Sequence, residues 1–427
     1  MKKFLALVLC LIMVATMVPA LAEEPITITV WSREAESQDP TAVGSRFVAL
    51  AEKWNAEHED IKIDFVLAQS HDGMITAMAN KGGPDIVDLL WQYAVPVGQK
   101  GGVLELSEYI KNDAEFNVDD FFPNAWLTCG VVGLEGEIYA VPRSCNSAYM
   151  LYNPAILKAA GYEEFPTTME GILEAAKACH TEEVMGLNPI SPWRDDVLFY
   201  AAAGVQWSDA EGNVTFDSEE SRTALKFQKD LIDVCGGFEA ASEWSTTYSN
   251  TFCTTSDPIL TGGAAMRFIF SWSLASMFQA GDEAGKVYGV DYAMANLPQG
   301  MLTCATMQIN ANTEHPDEAW KVLAYLNGEE AMADLAMGLE NRGQLVPRKS
   351  ALEVIVNAEE ISETMKHAAR ALSEGNVVNF TNSAYIDGYL SAVGTYADEY
   401  LRGYIDLEEA IELIQEDAEK AKEDAEK

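Results

Sequence analysis

The stretch Gly136–Asn153, GEIYAVPRSCNSAYMLYN, constrains the chain more than any other. Two runs, IYAVP and AYMLYN, read as buried strand. The five residues between them, Arg143 to Ser147, are too polar for a core and too short for a domain linker. A β-hairpin would want Gly or Asn-Gly at the break, and neither is present. What remains is one extended strand that leaves one hydrophobic core and enters another.

The rest of the sequence alternates strands with helices. Ile26–Trp31 (ITITVW) is a β-branched strand, and Thr41–His58 places Val43, Phe47, Leu50, Ala51 and Trp54 at helical spacing. Ile61–Leu67 alternates as a strand, and Asp85–Trp91 supplies another after Gly82-Gly83-Pro84. Helices are predicted over Pro154–Gly161, Thr168–Cys179, Ser218–Val234 and Pro316–Leu326. A final acidic helix begins at Asp406, with Leu407, Ile411, Ile414, Ala418 and Ala421 on one face. Such alternation predicts α/β layers with parallel pairing. The sequence contains no repeat and no low-complexity linker, so the two cores are expected to exchange strands and not to follow one another in series. The D-A-E-G-N run at 209–213 lacks the twelve-residue ligand spacing of a calcium loop and reads as a hairpin turn.

Lys2 and Lys3, the apolar run FLALVLCLIMVATMV and Ala20-Leu21-Ala22 form a basic start, a short apolar segment and an A-x-A site, the pattern of a cleaved export signal over residues 1–22. The apolar run is 15 residues, against about 20 for a membrane span. Cys10 lies inside that run after Leu9, a poor position for a lipid-modified terminus. The net charge of −39 repels phosphate backbones, which argues against nucleic acid as a partner. Six cysteines remain beyond the signal: Cys129, Cys145, Cys179, Cys235, Cys253 and Cys304. None forms a C-x-x-C pair, so zinc and redox motifs have no support; the residues read as buried small hydrophobes, with a bridge or two open to an exported chain.

Motifs for catalysis are lacking: no G-x-S-x-G, no H-E-x-x-H and no Walker-type loop. The five histidines are scattered, mostly at polar helix ends, and read as surface residues. Aromatics are more informative. Trp31, Trp91, Trp193, Trp207, Trp244 and Trp272 follow strands or sit in polar loops, positions from which a side chain lines the crevice of an α/β sheet. An indole suits the apolar face of a sugar ring, and neighbouring Asn, Asp and Arg can satisfy its hydroxyls.

Several blocks, in order, resemble the extracellular solute-binding proteins of ABC importers, in the group similar to maltose-binding protein. They are GGPDIVDLLW with QKGGVLELSEYI, GEIYAVP with LYNPAILKAAG, FPTTMEGILEAAK, VTFDSEESRTALKFQKDLID, GGAAMRFIFSW and HPDEAWKVLAYLNGEEA. Met169 stands where the third block usually has Trp. The resemblance implies a periplasmic-binding-protein-like fold of two α/β lobes, each a mostly parallel sheet flanked by helices, with ligand in the cleft between them. Residues 23–143 and 294–346 would form lobe 1, and 144–293 and 347–427 lobe 2. Arg143–Ser147 would cross the cleft, with later crossings near Ala293–Pro298 and Leu345–Ser350.

It also implies ligand contacts at Asn146, an amide where maltose-binding protein has an acidic residue, and at Asn188, Trp193 and Trp272, with Trp91, Tyr93 and Tyr385 beside them. Trp31 joins these as a strand-end aromatic. Of ten arginines, Arg33, Arg143, Arg194, Arg267 and Arg342 fall beside these positions. These five either read an acidic ligand through the guanidinium fork, with Arg33, Arg143 and Arg342 as the candidate contacts, or neutralise neighbouring carboxylates. The implied function is capture of a sugar or oligosaccharide by hinge closure and delivery to ABC transporter permease subunits at the membrane. The protein would be an exported monomer, periplasmic or at the cell surface, with no enzyme activity, cofactor or metal. The alternatives are a secreted glycan-active enzyme and a binding protein for a non-sugar solute.

Overall fold

Among the described residues nine strands form one sheet: β1 (Ile26–Trp31), β2 (Ile61–Val66), β3 (Ile86–Leu90), β4 (Val141–Tyr152), β5 (Met185–Leu187), β6 (Ala264–Phe270), β7 (Ala293–Ala295), β8 (Gly300–Ile309) and β9 (Val377–Val378). The computed structural model describes residues 24–38, 42–130, 137–190, 196–209, 212–338, 345–359, 361–374, 377–378 and 382–427. The expected export signal, Trp193, Arg194 and Arg342 lie outside the described residues.

The stretch R-S-C-N-S makes no turn. It is the middle of β4, a single strand of 12 residues. The first half of β4 pairs antiparallel with β8, and its second half with β6 and β7. The strand order β2-β1-β3-β8-β4-β6-β5 therefore has two ends joined by β8 and β4. Pairing is parallel toward the outer strands (β1 with β2 and β3, β5 with β6) and antiparallel at β3–β8, β8–β4 and β4–β6. The α/β class holds, but the sheet is mixed: strands that pass between the two ends run against their neighbours. The second crossing strand is β8, which starts just beyond the stretch expected to cross, while β7 pairs with Met150–Tyr152. A third segment runs beside β4, where the Cys145 N–H donates to Leu345 O at 2.7 Å.

Register breaks once. Pro142 pairs with Thr306 and Ser144 with Ala305, leaving Arg143 as the extra residue of a bulge. A bulge re-aims the side chain it carries, and here it turns a guanidinium inward.

Helices cover both faces. Val43–Glu57 buries Phe47, Leu50, Ala51 and Trp54, and Pro316–Leu326 buries Trp320, Val322 and Leu323. At the far end Glu219–Val234 and Leu407–Ala425 do the same, capped by Ser218 and Asp406, whose side chains accept from the Ser221 and Glu409 N–H groups. Alternate residues of β4 feed different cores. Tyr149 and Leu151 enter the cluster that also holds Ile28, Phe47 and Ile86, whereas Ala148 and Met150 enter the one around Leu225, Phe268 and Tyr389. That is the period-two consequence of a pleated strand buried on both faces. Of the six cysteines among the described residues, five are buried.

Candidate functional site

The ends of β1, β3 and β6 and one face of the β4–β8 pair line an open cavity of about 830 Å³. Each strand end contributes through local structure. After β1 the chain loops through Arg33–Ser37; after β3 it makes a 3₁₀ turn at Trp91–Tyr93; after β6 it makes another at Ser271–Ser273. Arg33, Glu34, Trp91, Gln92 and Trp272 thereby reach the cavity wall. The floor comes from pleat alternation: Asn146 of β4 pairs with Thr303 of β8, and both line the cavity with Met301.

Trp272 is 47% exposed, among the most exposed large apolar side chains described. Its ring stacks on Phe270 at 4.1 Å between centroids, inclined by 12°. Phe270 also lines the cavity but is buried. One indole face is thus backed by a core residue.

Beneath the wall lies a buried polar chain. Arg143 Nε donates to Asp88 Oδ1 at 3.0 Å and Nη2 donates to Glu34 Oε1 at 2.7 Å, with the guanidinium 5.1 Å from the Phe47 ring centre. The Ser32 hydroxyl donates to the other Asp88 oxygen at 2.5 Å. Arg143, Ser32 and Asp88 are fully buried. Burial opposes the charge on Arg143, yet Asp88 and Glu34 hold its pKa above the ordinary value. The charge-assisted bonds fix Glu34 at the cavity rim, so Arg143 supports the wall and does not line it.

Of the other residues singled out by sequence, Asn146, Trp91, Trp272 and Arg33 line the cavity. The Arg33 Nε is buried and has no hydrogen-bond partner among the described residues. Trp31 and Tyr93 pack against the small cluster of Met74, Val87 and Leu89. Asn188 spends its amide on Ala241 O and the Ile190 N–H. The Tyr385 hydroxyl donates to Gly212 O at 2.9 Å. Trp207 is core, between Tyr200 and Tyr389, and Trp244 packs on Tyr248. Arg267 is buried on Asp257. Glu34, Phe270, Met301 and Thr303 escape the sequence reading. Phe270 lies two residues before Trp272, and Glu34 follows Arg33 in the loop after β1, so their position near strand ends was the available signal.

The histidines are half-buried, not surface residues as expected. His71 lies beside the wall, its ring 5.2 Å from that of Tyr93. Burial first, then the Arg33 charge, lowers its pKa from 6.5. Burial likewise lowers His180 and His367 from 6.5. With folded values below unfolded ones, the unfolded chain binds more protons within that interval. The stability due to these residues is complete above 6.5 and is lost as pH falls through the interval. Thermal melts should therefore show a midpoint that drops between about pH 7 and 5.5, with a shallower slope in the H71N/H180N/H367N variant. An equal slope in that variant would remove the histidines as the cause.

A cavity walled by strand-end aromatics and floored by two crossing strands has the geometry of a binding cleft. The profile of the bacterial extracellular solute-binding protein family matches residues 38–333, more than half of the chain, and the chain belongs to that family. An arabinooligosaccharide-binding protein of Halalkalibacterium halodurans is 29% identical over 190 residues, 42% of this chain and 41% of that protein. The putative ABC transporter periplasmic-binding protein YcjN of Escherichia coli (strain K12) is 22% identical over 315 residues, 70% of this chain and 68% of that one. The first of these matches thus spans less than half of the relative's length. The sugar-binding protein MalE of Xanthomonas citri superposes with a TM-score of 0.73 at 16% identity, over 92% of this chain and 97% of that structure. At such identity the likeness establishes the fold.

Proposed function

We propose that the protein captures a sugar or oligosaccharide outside the cell membrane and delivers it to the permease subunits of an ABC importer. The observation that carries this reading is the Trp272 platform. An exposed indole backed by Phe270 offers a flat apolar face, while Asn146, Thr303, Glu34 and Gln92 supply donors and acceptors to the same cavity. That combination suits a ring with apolar faces and a hydroxylated rim. The names of the arabinooligosaccharide-binding, YcjN and MalE proteins point the same way. Residues 23–143 with 294–346, and 144–293 with 347–427, would act as two lobes that close on ligand about β4 and β8. Glu34 and Glu36 share the cavity, but Glu34 is engaged by Arg143 and is assigned to binding, not catalysis.

A second reading, an acidic sugar, rests on Arg33, whose Nη2 lies 3.8 Å from Glu34 Oε1 and whose Nε has no hydrogen-bond partner among the described residues. A thermal-shift screen of neutral sugars and oligosaccharides, uronates, phosphosugars, amino acids and polyamines separates the two. The expected outcome is a saturable rise in melting temperature with a neutral oligosaccharide, corresponding to about 2.7 kcal/mol at a hundredfold excess over Kd. A response confined to uronates moves the assignment to acidic sugars, and one confined to amino acids or polyamines overturns it. Chromatography of recovered ligand completes the test: turnover above background would make the protein a glycan-active enzyme.

A further inference from the structure

Cys145 and Cys304 face each other across the two crossing strands. They are register partners in the β4–β8 pair, both fully buried, with sulfurs 3.8 Å apart. The Cys145 N–H points away from β8 and donates to Leu345 O, which makes Cys145–Cys304 a non-hydrogen-bonded pair. Such pairs hold their Cα atoms about 4.5 Å apart, inside the roughly 4.4–6.8 Å that a disulfide bridges. Two other thiols are directed elsewhere: Cys235 Sγ lies against Met185 Sδ and Leu187 O, and Cys253 Sγ against Arg267. Cys129 lies near enough to matter electrostatically, but its thiol is directed to Ala125 O.

We infer that Cys145 and Cys304 are a redox modification site, oxidised to a disulfide that ties β4 to β8 where they cross. An extracellular protein works in oxidising surroundings. With a small-molecule disulfide such as oxidised glutathione, one cysteine thiolate attacks a sulfur of the reagent and releases one reduced glutathione. The second thiolate attacks the mixed disulfide and releases another. Two electrons pass from the pair to the reagent, and the two thiol protons leave to solvent and the released thiols. Because both sulfurs are buried in the folded chain, the exchange belongs to folding, before the strands close over them.

The bond has a consequence for the cavity. Cys145 precedes Asn146 and Cys304 follows Thr303, the register partners on the cavity floor. Cross-linking the neighbouring residues locks that pairing against a one-residue slip, which would turn the slipped strand's polar side chain to the other face. The loop it closes is long, with the two residues 159 positions apart, so the unfolded state is strongly restricted.

The full chain, unfolded under reducing conditions, is refolded in a mixture of reduced and oxidised glutathione, then alkylated, digested and mapped without reduction. The expected result is a linked peptide pair containing Cys145 and Cys304, a loss of the mass of two hydrogens, and the other four cysteines alkylated. The oxidised protein should melt several degrees higher than the reduced one, and C129A should behave as the parent. Recovery of Cys145 and Cys304 as alkylated thiols overturns the inference, as does a bridge from either one to Cys129. Neither readout depends on the nature of the ligand, so failure here leaves the sugar-binding proposal untouched.

Discussion

Replacing Trp272 by alanine is expected to weaken binding of the cognate ligand by roughly 30- to 150-fold while the unliganded protein stays folded. The fold-change corresponds to about 2–3 kcal/mol, the range of an aromatic anchor at a binding centre. With 47% of the residue exposed, the native state loses the packing of one ring face and not a full core side chain, whose removal costs about 3–5 kcal/mol. Phe270 is the internal contrast. It is 6% exposed and sits in the core cluster with Phe199 and Phe268, so F270A should lower stability by that full core amount. Calorimetric titration with a ligand found by screening, paired with urea unfolding of each unliganded variant, separates the roles. Unchanged affinity in W272A would remove the indole from the binding surface. A loss of stability equal to that of F270A would make Trp272 a packing residue.

The contrast between those neighbours shows what sequence can and cannot supply. Trp91 and Trp272 stand out because each lies within two residues of the end of an apolar strand, where side chains enter a crevice. Trp207 has the same local look, yet Tyr200, Phe216 and Tyr389, from other segments, enclose it. Exposure is a property of what packs against a residue, and that is non-local. The long strand through R-S-C-N-S was legible because a hairpin break wants Gly or Asn-Gly and neither is present. Its bulge was not, because a register break depends on β8, which begins about 150 residues later. Helices such as Pro316–Leu326 were legible to the residue, since Pro starts the first turn and apolar spacing is local. The purpose of Arg143 was ambiguous for the same non-local reason: its carboxylates lie 55 and 109 positions away in sequence.

Loss of Arg143 should also cost the fold heavily, because it neutralises a carboxylate that has no access to water. Asp88 is fully buried and takes only two described side-chain donors, Arg143 Nε and the Ser32 hydroxyl. R143A leaves a carboxylate in the interior with one neutral donor, and stripping one partner from a buried ion pair costs about 3–5 kcal/mol. Lysine should not restore it, since a single ammonium cannot reproduce a fork that bonds Asp88 through Nε and Glu34 through Nη2 at once. Neutralising the orphan should help: R143M/D88N removes the buried charge along with its partner and is expected to recover more than half of the lost stability, because two apolar or neutral groups of similar size avoid the desolvation penalty. Ligand affinity should behave differently. In R143M/D88N the Glu34 carboxylate still lacks its anchor, so binding stays weakened even where stability returns. Urea unfolding of wild type, R143A, R143K and R143M/D88N gives the stability series, and titration of the folded variants gives the affinity series. Stability of R143A within about 0.5 kcal/mol of wild type would show the buried network to be dispensable. Full recovery of affinity in R143M/D88N would show that Glu34 needs no support at the cavity wall.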